Sequence, residues 1–238
     1  MKTIAMWSGP RNISTALMRS FENRPDTVVT DEPFYAHYLY KTKINHPMKN
    51  EIIENGNINW ENITNELIGP IPKNKTVWYQ KHMSQHNLPG YNLEWINKIT
   101  NCILIRNPKD VIASFSKKFK LISSNQLGYK QQTVIYNLTK HNNKVIIVDA
   151  DDILKNTEYI IKKLCYKLKI PFYKQMLSWP KGKRQSDGIW SRYWYKEVEL
   201  STGFNCYSNN KNTLFKDYYR IYLDCMDDYE LLYDIRIK

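Results

Sequence analysis

Short apolar runs alternate along this chain with longer segments in which apolar residues recur at helical spacing. The short runs predict five strands, at residues 3–6, 27–30, 76–80, 102–105 and 144–148. The helical spacing predicts four longer helices, at residues 14–23, 108–119, 157–168 and 213–233. It also predicts shorter helices around Trp60, Ile63 and Leu67, and around Leu93, Ile96 and Ile99. Residues 35–49 are aromatic and basic, and the pattern assigns no element to them.

This alternation is typical of an α/β protein, because near-continuous apolar strands are buried on both faces of a parallel sheet. The predicted fold is a P-loop-type three-layer sandwich, with a central, mostly parallel sheet flanked by helices. Neither an internal repeat nor a low-complexity linker interrupts the 238 residues. We therefore expect a single domain over residues 1–238.

Composition narrows the class of partner. The net charge is +12, and the lysines that carry it are scattered. A nucleic-acid-binding protein would also be basic, but no long basic block is present, so the charge favours a cleft for an anionic small molecule. The four cysteines are far apart and predict neither a metal site nor a disulfide framework. No apolar run approaches the ~18 residues of a membrane span, and no secretory signal is visible, so the expected location is cytoplasmic.

The first predicted strand leads into a loop suited to an anion. Gly9 permits a tight turn, and Arg11 supplies a fork of donors for phosphate or sulfate oxygens. Ser14 and Thr15 add hydroxyls at the start of the next helix, where free backbone N–H groups attract an anion. The order of residues is not that of a Walker loop. The alternative interpretation is an ordinary helix capped by Ser14 after a buried strand.

A second motif follows the fourth predicted strand. Arg106 stands at the strand tip, Pro108 opens a helix, and Ser114 lies two turns along it. Arg106 and Ser114 can hold one phosphate between them. The alternative is that Arg106 pairs with Asp110 and that Ser114 is only a hydroxyl on the helix surface.

Ligands of a parallel sheet bind at the carboxyl ends of its strands. Besides the two motifs, this rule selects polar residues that follow the second, third and fifth strands, namely Glu32, Lys81, His82, Asp149, Asp151 and Asp152.

Together the two motifs resemble those of the sulfotransferase family. Residues 10–15 match its 5′-phosphosulfate loop, with Arg11 in place of lysine and Ile13 in place of glycine. Residues 106–110 and Ser114 match its 3′-phosphate motif without a gap. Residues 31–35 and 179–204 are similar to a bacterial sulfotransferase-like subgroup, so the resemblance covers most of the chain.

The resemblance implies sulfuryl transfer from 3′-phosphoadenosine 5′-phosphosulfate to a hydroxyl or amine of a small-molecule acceptor, without a metal. It implies that the phosphosulfate loop consists of Gly9, Pro10, Arg11, Asn12, Ile13, Ser14 and Thr15. It places the 3′-phosphate on Arg106 and Ser114, and a basic segment containing Lys183 and Arg184 over the nucleotide.

The resemblance also implies catalytic residues. Glu32 is the preferred base for the acceptor proton, and Lys81 and Arg11 are the cations near the transferred group. His82 is the alternative base. We interpret His46, His86 and His141 as ordinary loop histidines, whereas His37 is a candidate for the acceptor pocket.

Two other functions stay open. A P-loop kinase or nucleotide hydrolase could bind Mg²⁺ through Asp149, Asp151 and Asp152. A non-catalytic nucleotide-binding protein of the same fold is compatible with the departures at Arg11 and Ile13. The sequence names no acceptor and no oligomeric state.

Overall fold

The computed structural model describes residues 1–141, 145–205, 207 and 216–238. Its sheet has five strands in the order β2-β3-β1-β4-β5, and every strand pair is parallel. The strands are β1 (Lys2–Ser8), β2 (Thr27–Asp31), β3 (Val77–Met83), β4 (Thr100–Ile105) and β5 (Ile146–Asp149). The predicted α/β architecture with a parallel central sheet is therefore confirmed.

The helices connect and cover these strands. They are α1 (Ser14–Glu22), α2 (Tyr35–Thr42), α3 (Lys49–Asn55), α4 (Trp60–Leu67), α5 (Pro108–Ser116), α6 (Tyr129–Thr139), α7 (Ala150–Lys155), α8 (Thr157–Leu168), α9 (Ser191–Trp194), α10 (Lys196–Glu199) and α11 (Tyr219–Asp234). Short 3₁₀ turns lie between them. No helix in the described ranges has the length and apolar character that crossing a bilayer requires.

The side chains of β1 show how the three layers form. Ile4 and Met6 point into a core shared with α1, α7 and α8. Ala5 and Trp7 point the other way, into a core shared with α4, α5, α6 and α11. Because successive side chains of a strand face opposite sides, an uninterrupted apolar strand feeds both cores.

One predicted helix and one unassigned region differ from the structure. The helix expected around Leu93 and Ile99 is only a 3₁₀ turn, Glu94–Lys98. The Asn101 amide donates to the carbonyl oxygens of Ile96 and Ile99, at 2.8 and 3.3 Å, and so satisfies backbone groups that a continuing helix would use. The region left unassigned, 35–49, contains α2 and the start of α3.

Helix α6 was not predicted, because much of its buried face is polar. Gln132, Thr133 and Thr139 are buried, so apolar spacing does not reveal the helix. The predicted starts of the fifth strand, at residue 144, and of the last helix, at residue 213, lie outside the described residues.

Candidate active site

One cavity of about 970 Å³ opens at the carboxyl ends of the strands. The loop after β1 contributes residues 10–16, and the tips of β2, β3 and β4 contribute Glu32, Lys81 and Arg106. Ser114 of α5 also lines the cavity. The structure thus gathers residues of both phosphate motifs and two of the candidate catalytic residues around one space, as the rule for parallel sheets predicts.

The backbone of the first loop has two left-handed residues, Arg11 with φ 62° and Ile13 with φ 53°. Such angles favour glycine, so Ile13 holds the backbone conformation that the glycine of the family pattern adopts readily. No side chain in the described part of the chain caps α1. The first N–H groups of this helix therefore remain available to an anion in the cavity.

Gly9 lies beneath this loop, against a neighbouring backbone. A Cβ at Gly9 would be 2.3 Å from the carbonyl oxygen of Leu127. The side-chain amide of Asn12 donates to the carbonyl oxygen of Leu104 at 3.2 Å and ties the loop to β4. Gly9 and Asn12 thus shape the loop from below.

The two phosphate motifs are hydrogen-bonded to each other although they lie about 95 residues apart in the chain. Arg106 Nη1 donates to the carbonyl oxygen of Arg11 at 3.0 Å. Arg11 Nε donates to Ser114 Oγ at 2.9 Å. Arg106 Nε is also 3.3 Å from a carboxylate oxygen of Asp151. The side chain of Arg11 contacts Ser114 and its backbone contacts Arg106, so the two motifs form one hydrogen-bonded cluster at the cavity.

The candidate base and cation form a buried cluster with two further residues. Lys81 Nζ is 2.5 Å from Glu32 Oε1 and 2.9 Å from Asp31 Oδ1. It also donates to the Tyr195 hydroxyl at 2.6 Å. Burial raises the pKa of Glu32, and the positive charge of Lys81 partly opposes this. The charges of Asp31 and Glu32 overcome the effect of burial on Lys81 and raise its pKa well above its usual value.

His82 lies on the other face of the sheet. Its ring stacks on Trp7 with centroids 4.2 Å apart, and the side chain is not among those that line the cavity. Burial lowers the pKa of His82 to about 3. Because neighbours in a strand point to opposite faces, Lys81 faces the cavity and His82 faces the core.

Lys183 and Arg184 are not brought to the cavity wall. The Arg184 guanidinium lies 3.8 Å from Glu22, and its backbone N–H donates to Asp187 at 2.8 Å. Asp187 in turn forms a buried ion pair of 2.6 Å with Arg19. This basic segment is anchored to α1 in the structure, and its contact with a nucleotide stays a prediction.

The cavity wall includes two residues that the sequence indicates as ordinary loop histidines, but it does not include His37, the candidate for the acceptor pocket. His46 and His86 line the cavity, whereas His37 lines a separate cavity of about 700 Å³. The His86 ring stacks between Tyr35 and Tyr38, with centroid distances of 4.9 and 4.6 Å. The aromatic run at residues 35–40 was the available signal for this wall.

Asp31 and Glu197 are two further residues that sequence reasoning did not assign to the site. Asp31 precedes Glu32 at a strand tip, and its contact with Lys81 depends on strand pairing. Glu197 Oε2 reaches to 3.8 Å from Arg11 across 186 residues of sequence, which no local pattern reveals.

The three acidic residues after β5 each have a protein partner. Asp149 caps α7 by accepting from the N–H groups of Asp151 and Asp152, at 2.8 and 3.1 Å. Asp151 pairs with Arg106, and Asp152 pairs with Arg236 at 2.7 Å. Among the described residues, no group of three or more His, Cys, Asp or Glu side chains is arranged to hold a metal ion.

Asp149 gives a prediction about stability. Burial raises its pKa from 3.8 to about 6, so the folded protein binds this proton more tightly than the unfolded chain. The contribution of this proton to the free energy of unfolding is therefore fully present below pH ~4. It is lost as the pH rises to ~6, and it amounts to on the order of 3 kcal/mol. Asp149→Asn keeps an oxygen for the cap and does not ionise. We expect its melting temperature, relative to the unmodified protein, to rise between pH 5 and pH 7.

Thermal unfolding at both pH values measures this effect. Asp227→Asn, on the exposed side of α11, controls for the change in net charge. A difference between Asp149→Asn and the unmodified protein that is the same at both pH values would show that Asp149 does not take up this proton.

Most of the chain is similar to known proteins. The Sulfotransferase domain family matches residues 1–219. Branched-chain-amino-acid aminotransferase-like protein 2 of Arabidopsis thaliana is 34% identical over 233 residues, which cover 98% of this chain and 41% of that protein. The chain therefore spans about two fifths of that relative's length.

Two solved structures share the fold at low sequence identity. The sulfotransferase domain of the Synechococcus PCC 7002 olefin synthase superimposes with a TM-score of 0.57 and 12% identity, covering 100% of this chain and 96% of that one. The sulfotransferase from Alicyclobacillus acidocaldarius gives 0.56 and 9%, covering 100% and 97%.

Proposed function

The chain belongs to the sulfotransferase-domain family, and from this premise we propose that it transfers a sulfuryl group from 3′-phosphoadenosine 5′-phosphosulfate to a small-molecule acceptor. The acceptor group is a hydroxyl or an amine. The observation that carries the proposal is the single cavity in which Arg11, Arg106 and the α1 N-terminus meet the Glu32–Lys81 pair.

The cavity offers donors for two phosphate groups, and 3′-phosphoadenosine 5′-phosphosulfate carries two on one ribose. The loop at residues 9–15 and the start of α1 would hold the phosphosulfate end, where the left-handed backbone leaves N–H groups free. Arg106 and Ser114 would hold the 3′-phosphate. Arg11 lies between the two sites, since it contacts Ser114 through its side chain and Arg106 through its carbonyl group.

Glu32 is the carboxylate we propose as base for the acceptor. It lines the cavity, and burial raises its pKa above the usual range of a carboxyl group. A carboxylate with a raised pKa is a stronger base than a free one and can take a proton from the attacking group. Lys81 stays charged beneath it and stabilises negative charge that develops at the transferred group.

The name of the Arabidopsis relative suggests amino-group transfer instead. Such a reaction needs a lysine whose amine is neutral, so that it can form a Schiff base. The two carboxylates beside Lys81 favour its charged form, which opposes that role for Lys81. Arg11 and Arg106 at the cavity support sulfuryl transfer from an anionic donor.

The decisive experiment incubates the protein, in EDTA, with donor labelled in its sulfuryl group and with a metabolite extract. Label in an extract component, at the same rate with and without EDTA, is the expected result. Hydrolysis of ATP that requires Mg²⁺ would favour the kinase or hydrolase alternative. Binding of 3′-phosphoadenosine 5′-phosphate without any transfer would identify a non-catalytic member of the family.

Glu197 gives a prediction about nucleotide affinity. Its carboxylate lies 3.8 Å from the Arg11 guanidinium and 3.1 Å from Lys118, and its side chain is 72% exposed. An exposed ion pair is worth up to ~1 kcal/mol, so this contact competes weakly with a phosphate. We expect Glu197→Gln to tighten binding of 3′-phosphoadenosine 5′-phosphate about two- to fivefold.

Titration calorimetry compares this variant with Glu158→Gln, which changes the net charge equally at an exposed position on α8 that is paired with Lys162. Equal tightening in both variants would assign the effect to net charge and not to the contact with Arg11.

A further inference from the structure

Two carboxylates share the buried ammonium group of Lys81, and they are held differently. We propose that Asp31 is the permanent counterion of Lys81 and acts as a positioning residue, which leaves Glu32 free to take up and release a proton. The use of that proton in group transfer rests on the proposed function. The division of roles between the two carboxylates rests on the geometry alone.

Strand pairing places Asp31 beside Lys81. The two residues are direct partners in the register of β2 and β3, so their side chains leave the sheet on the same face. Glu32 follows the last residue of β2 and has a left-handed backbone, with φ 41°. That turn carries Glu32 out of the sheet and to the cavity wall. Asp31 does not line the cavity, and its side chain is 1% exposed against 11% for Glu32.

Hydrogen-bond donors converge on Asp31. Lys81 donates to Oδ1 at 2.9 Å, and the Gly188 N–H donates to Oδ2 at 3.1 Å. The Tyr195 hydroxyl lies 2.8 Å from both oxygens. A carboxylate that accepts several hydrogen bonds is held in its charged form. The Glu32 carboxylate accepts from Lys81 alone, at 2.5 Å, among the hydrogen bonds of the described residues.

The charges give this arrangement a consequence. Asp31 and Lys81 neutralise each other, so a protonated Glu32 leaves the cluster neutral and an ionised Glu32 leaves it with one negative charge. The groups that face Glu32 are Lys81, Asp31, Tyr195 and Tyr35. If Asp31 carried no charge, Glu32 would be the counterion of Lys81 and would be held in its ionised form.

Carbon-13 NMR of protein labelled at the carboxyl carbons of glutamate and aspartate tests this proposal without donor or acceptor. The signals are assigned by their loss in Glu32→Gln and Asp31→Asn. In the unmodified protein we expect Glu32 to take up its proton at a higher pH than an ordinary glutamate does, because burial raises its pKa. In Asp31→Asn we expect the midpoint for Glu32 to fall by at least one pH unit.

Asp26→Asn is the matched control, since Asp26 precedes the other end of β2 and pairs with Arg24. It is expected to leave the Glu32 midpoint unchanged. A Glu32 midpoint at or below that of an ordinary glutamate, or an unchanged Glu32 midpoint in Asp31→Asn, would overturn the proposal. Should Asp31→Asn not fold, the Glu32 midpoint in the unmodified protein, assigned with Glu32→Gln, decides the question.

This titration separates the proposal from the proposed function. The expected Glu32 midpoints in both proteins, with no sulfuryl transfer, would remove the proposed function and leave the roles of the two carboxylates intact. If transfer is found, the acid side of the pH–turnover profile should also move to lower pH in Asp31→Asn, which a purely structural role for Asp31 would not produce.

Discussion

Replacing Glu32 by glutamine is expected to lower turnover ~10²- to 10⁴-fold, while the dissociation constant for 3′-phosphoadenosine 5′-phosphate changes little. Glutamine keeps the shape of the side chain and a hydrogen bond to Lys81, but it cannot accept the acceptor proton at neutral pH. Turnover is measured with labelled donor and the acceptor found in the extract, and affinity by titration calorimetry.

His82 provides the control for this substitution. Its ring is buried against Trp7 on the far face of the sheet. His82→Ala should therefore lower the melting temperature and leave the turnover of the folded protein nearly unchanged. An inactive His82→Ala protein beside an active Glu32→Gln protein, with both shown to be folded, would move the role of base to His82.

The pH profile distinguishes the same two residues. A carboxyl group acts as a base only in its ionised form. Because burial raises the pKa of Glu32 above its usual value of 4.5, turnover should rise with pH through a midpoint above 4.5. Burial lowers the pKa of His82 to about 3, and a His82 base would therefore place the midpoint near 3.

Replacing Arg106 by alanine is expected to remove most of the preference for 3′-phosphoadenosine 5′-phosphate over adenosine 5′-monophosphate. A charge-assisted contact to a phosphate is worth ~2–3 kcal/mol, which corresponds to a loss of roughly 30- to 150-fold in affinity for the first ligand. Affinity for the monophosphate, which has no 3′-phosphate, should change far less. Calorimetry with both nucleotides measures the two values.

Two further variants show which groups cause the preference for 3′-phosphoadenosine 5′-phosphate. Arg106→Lys keeps a positive charge but not the paired donors, so it should retain part of the preference. Ser114→Ala removes one hydroxyl and should have a smaller effect than Arg106→Ala. If the unmodified protein binds both nucleotides equally well, Arg106 and Ser114 do not form a 3′-phosphate site.

The pattern of apolar residues along the chain predicts the strands of the sheet but does not predict helix α6. The strands alternate between two cores, so their residues are apolar without interruption, and short apolar runs locate all five strands. Helix α6 buries Gln132, whose side-chain amide donates to the carbonyl oxygen of Leu104 at 3.1 Å, a partner that only the folded chain supplies. A polar residue with a distant partner looks like a surface residue in the sequence.

In the candidate site, too, short local motifs are predictable from the sequence, and positions that depend on distant contacts are not. The loop at residues 9–15 and the segment from Arg106 to Ser114 were recognisable because each combines a strand end, a turn and a helix start within about ten residues. Their charge and the resemblance to the family indicated Lys183 and Arg184 as nucleotide contacts. Their position depends on ion pairs such as Arg184 with Glu22, which charge along the sequence does not reveal.

By itself, the sequence determined the five strands, the helices α1, α4, α5 and α8, and the two motifs that resemble those of the family, because these depend on backbone preferences and side-chain spacing over a few turns. Only the tertiary structure decided that Lys81 and not His82 faces the cavity. It also decided that Asp31 lies opposite Lys81, and that Tyr195 reaches Asp31 from 164 residues away. These contacts depend on the register of parallel strands and on the return of the chain to the sheet, and both are set by packing of the whole core.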